Sequence, residues 1–187
     1  MPTVEAAARR AQTETTISYR IDRSDTIVWV NETWNTFAQS NGWNEADSVL
    51  GRPVWEFVAG RETQLIWREL LARARTGVAI QVPFRCDAPA VRRYLQLAIK
   101  PAKSGEVFFA STTDRLIERN PLALLSAHYA EGEPIRCCSW CKRFDAEGWV
   151  EVEEAVERLG LLEQDIRPVT HAMCADCEAS LRSLAGL

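Results

Sequence analysis

The chain has 187 residues, 47% of them hydrophobic and 26% charged, and a net charge of −4. That is a globular composition with room for one domain plus a small module, and no apolar run reaches the roughly 20 residues of a membrane-spanning helix. The whole acidic excess lies from Ile135 onward, while acidic and basic residues balance before it. Nucleic-acid binders need a basic surface, so DNA binding by the C-terminal part is not expected.

Residues 1–15 read as a flexible lead-in without the apolar core of a secretory signal. A cytoplasmic location follows as the expectation, and that compartment keeps thiols reduced. ISYRID (17–22) and TIVWV (26–30) are β-branched and aromatic runs parted by RSD, the pattern of two strands and a tight turn. NETWNTFAQSNGW then opens on Asn31, a good N-cap, with Trp34, Phe37 and Ala38 on one helical face and Asn41-Gly42 as a stop. LGRPVWEFV (50–58) predicts a tight turn and a short helix. RETQLIWRELLARART (61–76) is the clearest helix, with Leu65, Ile66, Leu70 and Ala74 at helical spacing and Gly77 in capping position.

Three strand-like runs follow: VAIQVPFRC (78–86), RRYLQLAIK (92–100) and GEVFFAST (105–112). Tyr94, Leu95, Leu97 and Ile99 alternate only in part. TDRLIERN predicts one or two helical turns before Asn120-Pro121. The order of two strands, a helical middle and three strands predicts an α+β fold, a five-stranded antiparallel sheet with helices crossing one face. Residues 16–119 make this domain, 120–134 read as a linker, and 135–187 form a second module with one short amphipathic helix. Trp149, Val152, Val156 and Leu159 line one face of that helix.

WVNETWNTFA, VLGRPVWEFV and TDRLIER stand in the order of the entry to the first helix, the G-x-x-hydrophobic-x-hydrophobic segment and the Asp-x-Thr-x-Arg signature of PAS domains. Over residues 17–119 the chain resembles that family, although Leu116 replaces the signature Thr. With PFRCDAPAVRRYLQL and the tail CSWCKR…WVEVEEAV…THxxCxxC, the resemblance extends to an uncharacterised bacterial group of PAS-like proteins. It implies sensing: a ligand held between helices and sheet, or a sheet face that pairs with partners, including a homodimer through the PAS-like domain near Ile17 and Tyr19. A haem-binding relative supplies an axial His from its central helices, and His128 and His171 both lie outside this segment. A photoactive flavin domain carries a Cys that GRPVWEF lacks. The resemblance therefore implies a small organic ligand or none, rather than haem or flavin.

Trp34, Trp55 and Trp67, with Trp29, are candidate pocket residues; the alternative is that they are simply core. Cys86 reads as a small buried hydrophobe rather than a reactive thiol. Arg85, Asp87, Arg92 and Arg93 read as a solvated cross-strand charge cluster rather than an anion site.

Two C-x-x-C pairs remain, Cys138/Cys141 and Cys174/Cys177. Two residues between thiols let both sulfurs face one point, and two such pairs complete a tetrahedron. A thioredoxin-like redox pair needs a βαβ context that is missing, and c-type haem attachment needs a following His, where Lys142 and Glu178 stand. The ligands alone leave an iron–sulfur cluster open; the spacing favours structural Zn²⁺. His171 is expected as an outer group donating an N–H to a ligand, or as a substitute ligand. A closed four-thiolate site is not catalytic. No Walker loop or nucleophile elbow occurs. The expectation is a non-enzymatic signalling or interaction protein with a protein partner. The rival is a thiol redox sensor in which Cys137 attacks an oxidised site and expels the metal.

Overall fold

A computed structural model of the chain describes residues 16–43, 49–88, 90–119, 133–160 and 168–187. The lead-in and most of the linker segment lie outside the described residues. β1 (Thr16–Ile21) and β2 (Ile27–Val30) are followed by helix α1 (Glu32–Ser40), a 3-10 turn (Val54–Glu56) and helix α2 (Arg61–Arg75). β3 (Ile80–Arg85), β4 (Val91–Pro101) and β5 (Val107–Glu118) complete an antiparallel sheet of order β2-β1-β5-β4-β3. The fold is α+β, with a five-stranded antiparallel sheet and the helices between its second and third strands, as the sequence predicts.

Local chemistry sets these bounds. Asn31 caps α1, its side chain accepting from the Trp34 N–H at 3.0 Å. Alternation buries Ile80 and Val82 in β3, and Leu95, Leu97 and Ile99 in β4. The partial alternation at Tyr94-Leu95 has a cause: the β4–β5 register shifts there by a bulge. Two expectations are corrected. Residues 113–118 are strand, not helix: β5 runs to Glu118, paired with the start of β4 from Val91 to Tyr94, and that ladder overrides local helical preference. In α2, Ile66, Leu70 and Ala74 are buried as expected, but Leu65 is exposed and Leu71 is buried instead, which turns the apolar stripe toward Leu71.

The C-terminal module has a four-stranded sheet of β6 (Ile135–Cys138), β7 (Phe144–Asp145), β8 (Trp149–Val150) and β9 (Val169–Ala172), in order β8-β7-β6-β9 with β6 and β9 parallel. The expected helix is α3 (Val152–Arg158), shorter than the sequence predicts, because Trp149 pairs in β8 rather than joining the helix. A second helix, α4 (Ala175–Ala185), was not anticipated; it ends at Gly186 in the left-handed conformation.

The two parts share one core. Cys138, Trp140, Met173, Cys174, Leu181 and Ala185 of the module pack in the same buried cluster as Ile66, Leu70, Ile99 and Phe109. α4 lies against β3 and α2. Gly60, at the N-terminus of α2, allows the closest approach: a Cβ there would sit 2.7 Å from the His171 carbonyl oxygen.

Candidate metal centre and the cavity beside it

β6 ends at Cys138, and the chain then turns so that Cys141 comes back beside it. Lys142, next in line, adopts a left-handed conformation (φ +61°), and its N–H donates to the Cys138 carbonyl at 3.0 Å. The second pair stands at a helix start, not on a second free turn. Cys174 is the N-cap of α4, its sulfur accepting from the Cys177 N–H at 3.4 Å. The Cys174 N–H in turn points at the Cys138 sulfur, 3.5 Å away. A helix N-terminus and backbone donors favour the thiolate form.

The four sulfurs of Cys138, Cys141, Cys174 and Cys177 lie within 4.8 Å of one another, and Cys141 and Cys174 are 3.8 Å apart. A tetrahedral zinc with Zn–S near 2.3 Å sets its sulfurs about 3.8 Å apart. The donor set therefore fits a four-thiolate metal. Hydrogen bonds from Cys141 and Cys177 hold Cys138 well below the ordinary thiol range. The bond to Cys138 pushes Cys141 up to about 12, and the same partner raises Cys177.

His171 is exposed on β9 and stands outside the sulfur group; among the described residues no hydrogen bond joins its imidazole to a ligand sulfur. Cys137 is also outside it. Strand alternation turns Cys137 away from Cys138, its thiol meets the Cys138 carbonyl at 3.7 Å, and burial pushes it up to about 11.

Between the helices and the sheet lies an apolar cavity of about 390 Å³, walled by Tyr19, Trp34, Phe37, Trp67, Phe84 and Leu97 among others. A second lobe of about 370 Å³ shares Tyr19, Trp34, Trp43, Trp67, Phe84 and Cys86 with it and reaches Ser139, Trp140, Lys142 and His171. Trp34 and Trp67 thus line the cavity. Trp55 does not: its indole N–H donates to Asp25 at 2.8 Å, and Arg68 covers its ring at 3.9 Å. Trp29 lies at the surface against Phe108. Cys86 is half-buried and faces both lobes. Ile17 and Tyr19, the residues expected at a two-fold contact, both line the cavity; Tyr19 stacks on Phe109, and burial raises its phenol above the usual range. His171, far from the PAS-like segment in sequence, still borders the outer lobe.

The charge cluster is not solvated at its centre but bridges the two parts. Arg85 is 6% exposed, paired with Asp87, and its Nη1 donates to both carboxylate oxygens of Glu151 at 2.8 and 2.9 Å. Burial opposes its charge, but these bonds more than offset that and raise its pKa. Arg92 reaches Glu151 and Glu153. Phe84, Tyr19 and Trp140 escaped the sequence reading as cavity walls. For Trp140 the one available signal was an aromatic residue inside a C-x-x-C turn.

No family model matches the chain, and no curated protein does. Among solved structures it is similar to a domain of a sensory box sensor histidine kinase/response regulator from Geobacter sulfurreducens (17% identity, 58% of this chain and 93% of that one, TM-score 0.39). It is also similar to the RpfR quorum-sensing receptor PAS domain of Cronobacter turicensis, solved in complex with BDSF (15%, 54% and 94%, 0.40). A third is a sensory box sensor histidine kinase from Vibrio cholerae (11%, 58% and 90%, 0.41).

Proposed function

We propose that this chain is a non-enzymatic sensor or interaction protein, in which a PAS-like unit takes a small apolar ligand and a structural zinc holds the C-terminal module. The observation that carries the reading is the convergence of four cysteine sulfurs near a cavity walled largely by aromatic residues. Cys138, Cys141, Cys174 and Cys177 would hold the metal, which supplies cross-linking rather than chemistry, because four protein ligands leave no open position. Thiolate ligands of this kind suit a reducing, cytoplasmic setting. Among the described residues no helix is long and apolar enough to cross a membrane.

Ligand binding acts on a sensor only where two conformations differ in affinity. The output proposed is therefore contact with a protein, either a second copy through the PAS-like unit or a different partner. Cys137 is poorly placed to start a redox switch, being buried and turned from the sulfur group.

The test is to purify the full chain, measure its metal content, take an X-ray absorption spectrum and identify small molecules released on denaturation. One zinc per chain with four sulfurs, together with a co-purifying apolar molecule, is the expected result. A shell of three sulfurs and one nitrogen would bring His171 in as a ligand. A metal-free chain that folds normally would overturn the metal assignment.

A further inference from the structure

Three residues of the metal-holding turn, Ser139, Trp140 and Lys142, line the outer lobe of the cavity. Trp140, between Cys138 and Cys141, is buried, and its ring lies 5.6 Å from Trp67 and 6.1 Å from Phe84, both walls of the inner lobe. We infer that the metal turn is itself part of the ligand site, with Trp140 as a ligand-binding residue, so that metal and cavity ligand bind with positive linkage. The inference rests on the reading above that the cavity takes a small apolar ligand.

The turn is fixed to the cavity walls at several independent points. The Trp140 indole N–H donates to the Pro83 carbonyl, and the Arg85 N–H donates to the Trp140 carbonyl at 2.9 Å. These bonds tie the turn to β3. On α2, the buried Thr63 hydroxyl donates to Ser139 at 2.9 Å, and Glu62 accepts the Met173 N–H at 3.0 Å. Trp67 projects from that same helix. A metal that orders Cys138 and Cys141 therefore positions Trp140, and a ring packed in the cavity is a partner for it. Coupling through packed and hydrogen-bonded elements acts equally in both directions. The shared walls are mostly aromatic, so the ligand class is an apolar aromatic molecule of one or two rings.

The probe is 2-naphthol, titrated into the full-length zinc-loaded chain by calorimetry. Zinc affinity is measured by chelator competition with and without saturating naphthol. Naphthol should raise zinc affinity about tenfold, a usual size for coupled sites. Trp140→Leu, which leaves the four cysteines in place, should keep one zinc, lose about tenfold in naphthol affinity and bring the linkage factor close to one. If that variant loses zinc, Trp140→Phe retains a ring against Trp67 and Phe84 and should weaken naphthol about threefold with zinc retained. Naphthol binding that is unchanged in the zinc-loaded variant, or zinc affinity indifferent to naphthol, overturns the inference and leaves the cavity reading standing. Failure of naphthol to bind the zinc-loaded wild type removes the cavity reading and the inference with it.

Discussion

Arg85 shows how a single residue links the two parts of this molecule. It leaves the sheet at the end of β3, buried, and spends its guanidinium on Asp87 and Glu151. Removing one member of a buried ion pair costs up to about 3 to 5 kcal/mol, and here Arg92, 3.9 Å from Asp87 and 3.1 Å from Glu151, keeps the loss toward the lower end. Arg85→Ala should therefore be severely destabilising in urea denaturation, whereas Arg143→Ala, whose side chain is 44% exposed and 3.5 Å from Glu151, should change little. Equal effects would deny Arg85 its bridging role. Glu153 gives a pH-dependent counterpart. Burial opposes its charge, but its own backbone N–H together with Arg92 and Arg119 holds its carboxyl below the usual carboxylate range. A depressed carboxylate stabilises the fold above its unfolded pKa and ceases to as pH falls through the folded value. Glu153→Gln should thus be less stable than wild type near neutrality and indistinguishable from it in strong acid. The gap should be small, since Glu153 is half exposed. A gap that persists in acid would show that charge is not its cause.

At the scale of elements, the approach of α2 to β9 brings backbone close to backbone. Gly60 has φ +87°, and a side chain there would meet the His171 backbone. Gly60→Ala should cost about 2 kcal/mol or more, from left-handed strain plus the clash. Gly77→Ala, also at positive φ but with open space around it, should cost less; equal losses in thermal unfolding would mean that the contact with β9 is not tight. The sequence made elements legible where one local signal dominated. Asn31 announced α1 through its cap, and the β3 alternation announced its buried face. It misled where the deciding partner was remote: TDRLIER carries helical spacing, yet β4 recruits it as strand. Leu65 and Leu71 both fit a helical stripe, and only the packing of α2 decides between them. The cysteine spacings were legible because two residues between thiols encode a local geometry. The wall that Trp140 gives the cavity was not, since it depends on β3, some 57 residues upstream in the hydrogen bond to Pro83.

For the whole molecule, the consequence of one shared core is cooperativity. Trp140 packs on Trp67 and Phe84, Arg182 pairs with Glu69, and Arg73 donates to the Ala185 carbonyl at 3.3 Å, so the module covers α2 and β3 along much of their length. Such a module cannot melt without uncovering the PAS-like unit, and its metal-binding free energy becomes folding free energy for both. The zinc-loaded chain should therefore unfold in a single calorimetric transition. Chelation, or Cys174→Ser, should lower that transition for the whole chain rather than split off a small early one. The PAS-like unit keeps Ile21, Val82, Ile99, Val107 and Phe109 as a core of its own. A chain ending at Asn120 should accordingly still unfold cooperatively, but at a lower temperature than the zinc-loaded protein, because Trp67 and Phe84 lose their cover. Two separate transitions in the intact chain, or a truncated chain as stable as the whole, would show that the module is only tethered. A molten, uncooperative truncated product would show instead that the PAS-like unit has no independent core.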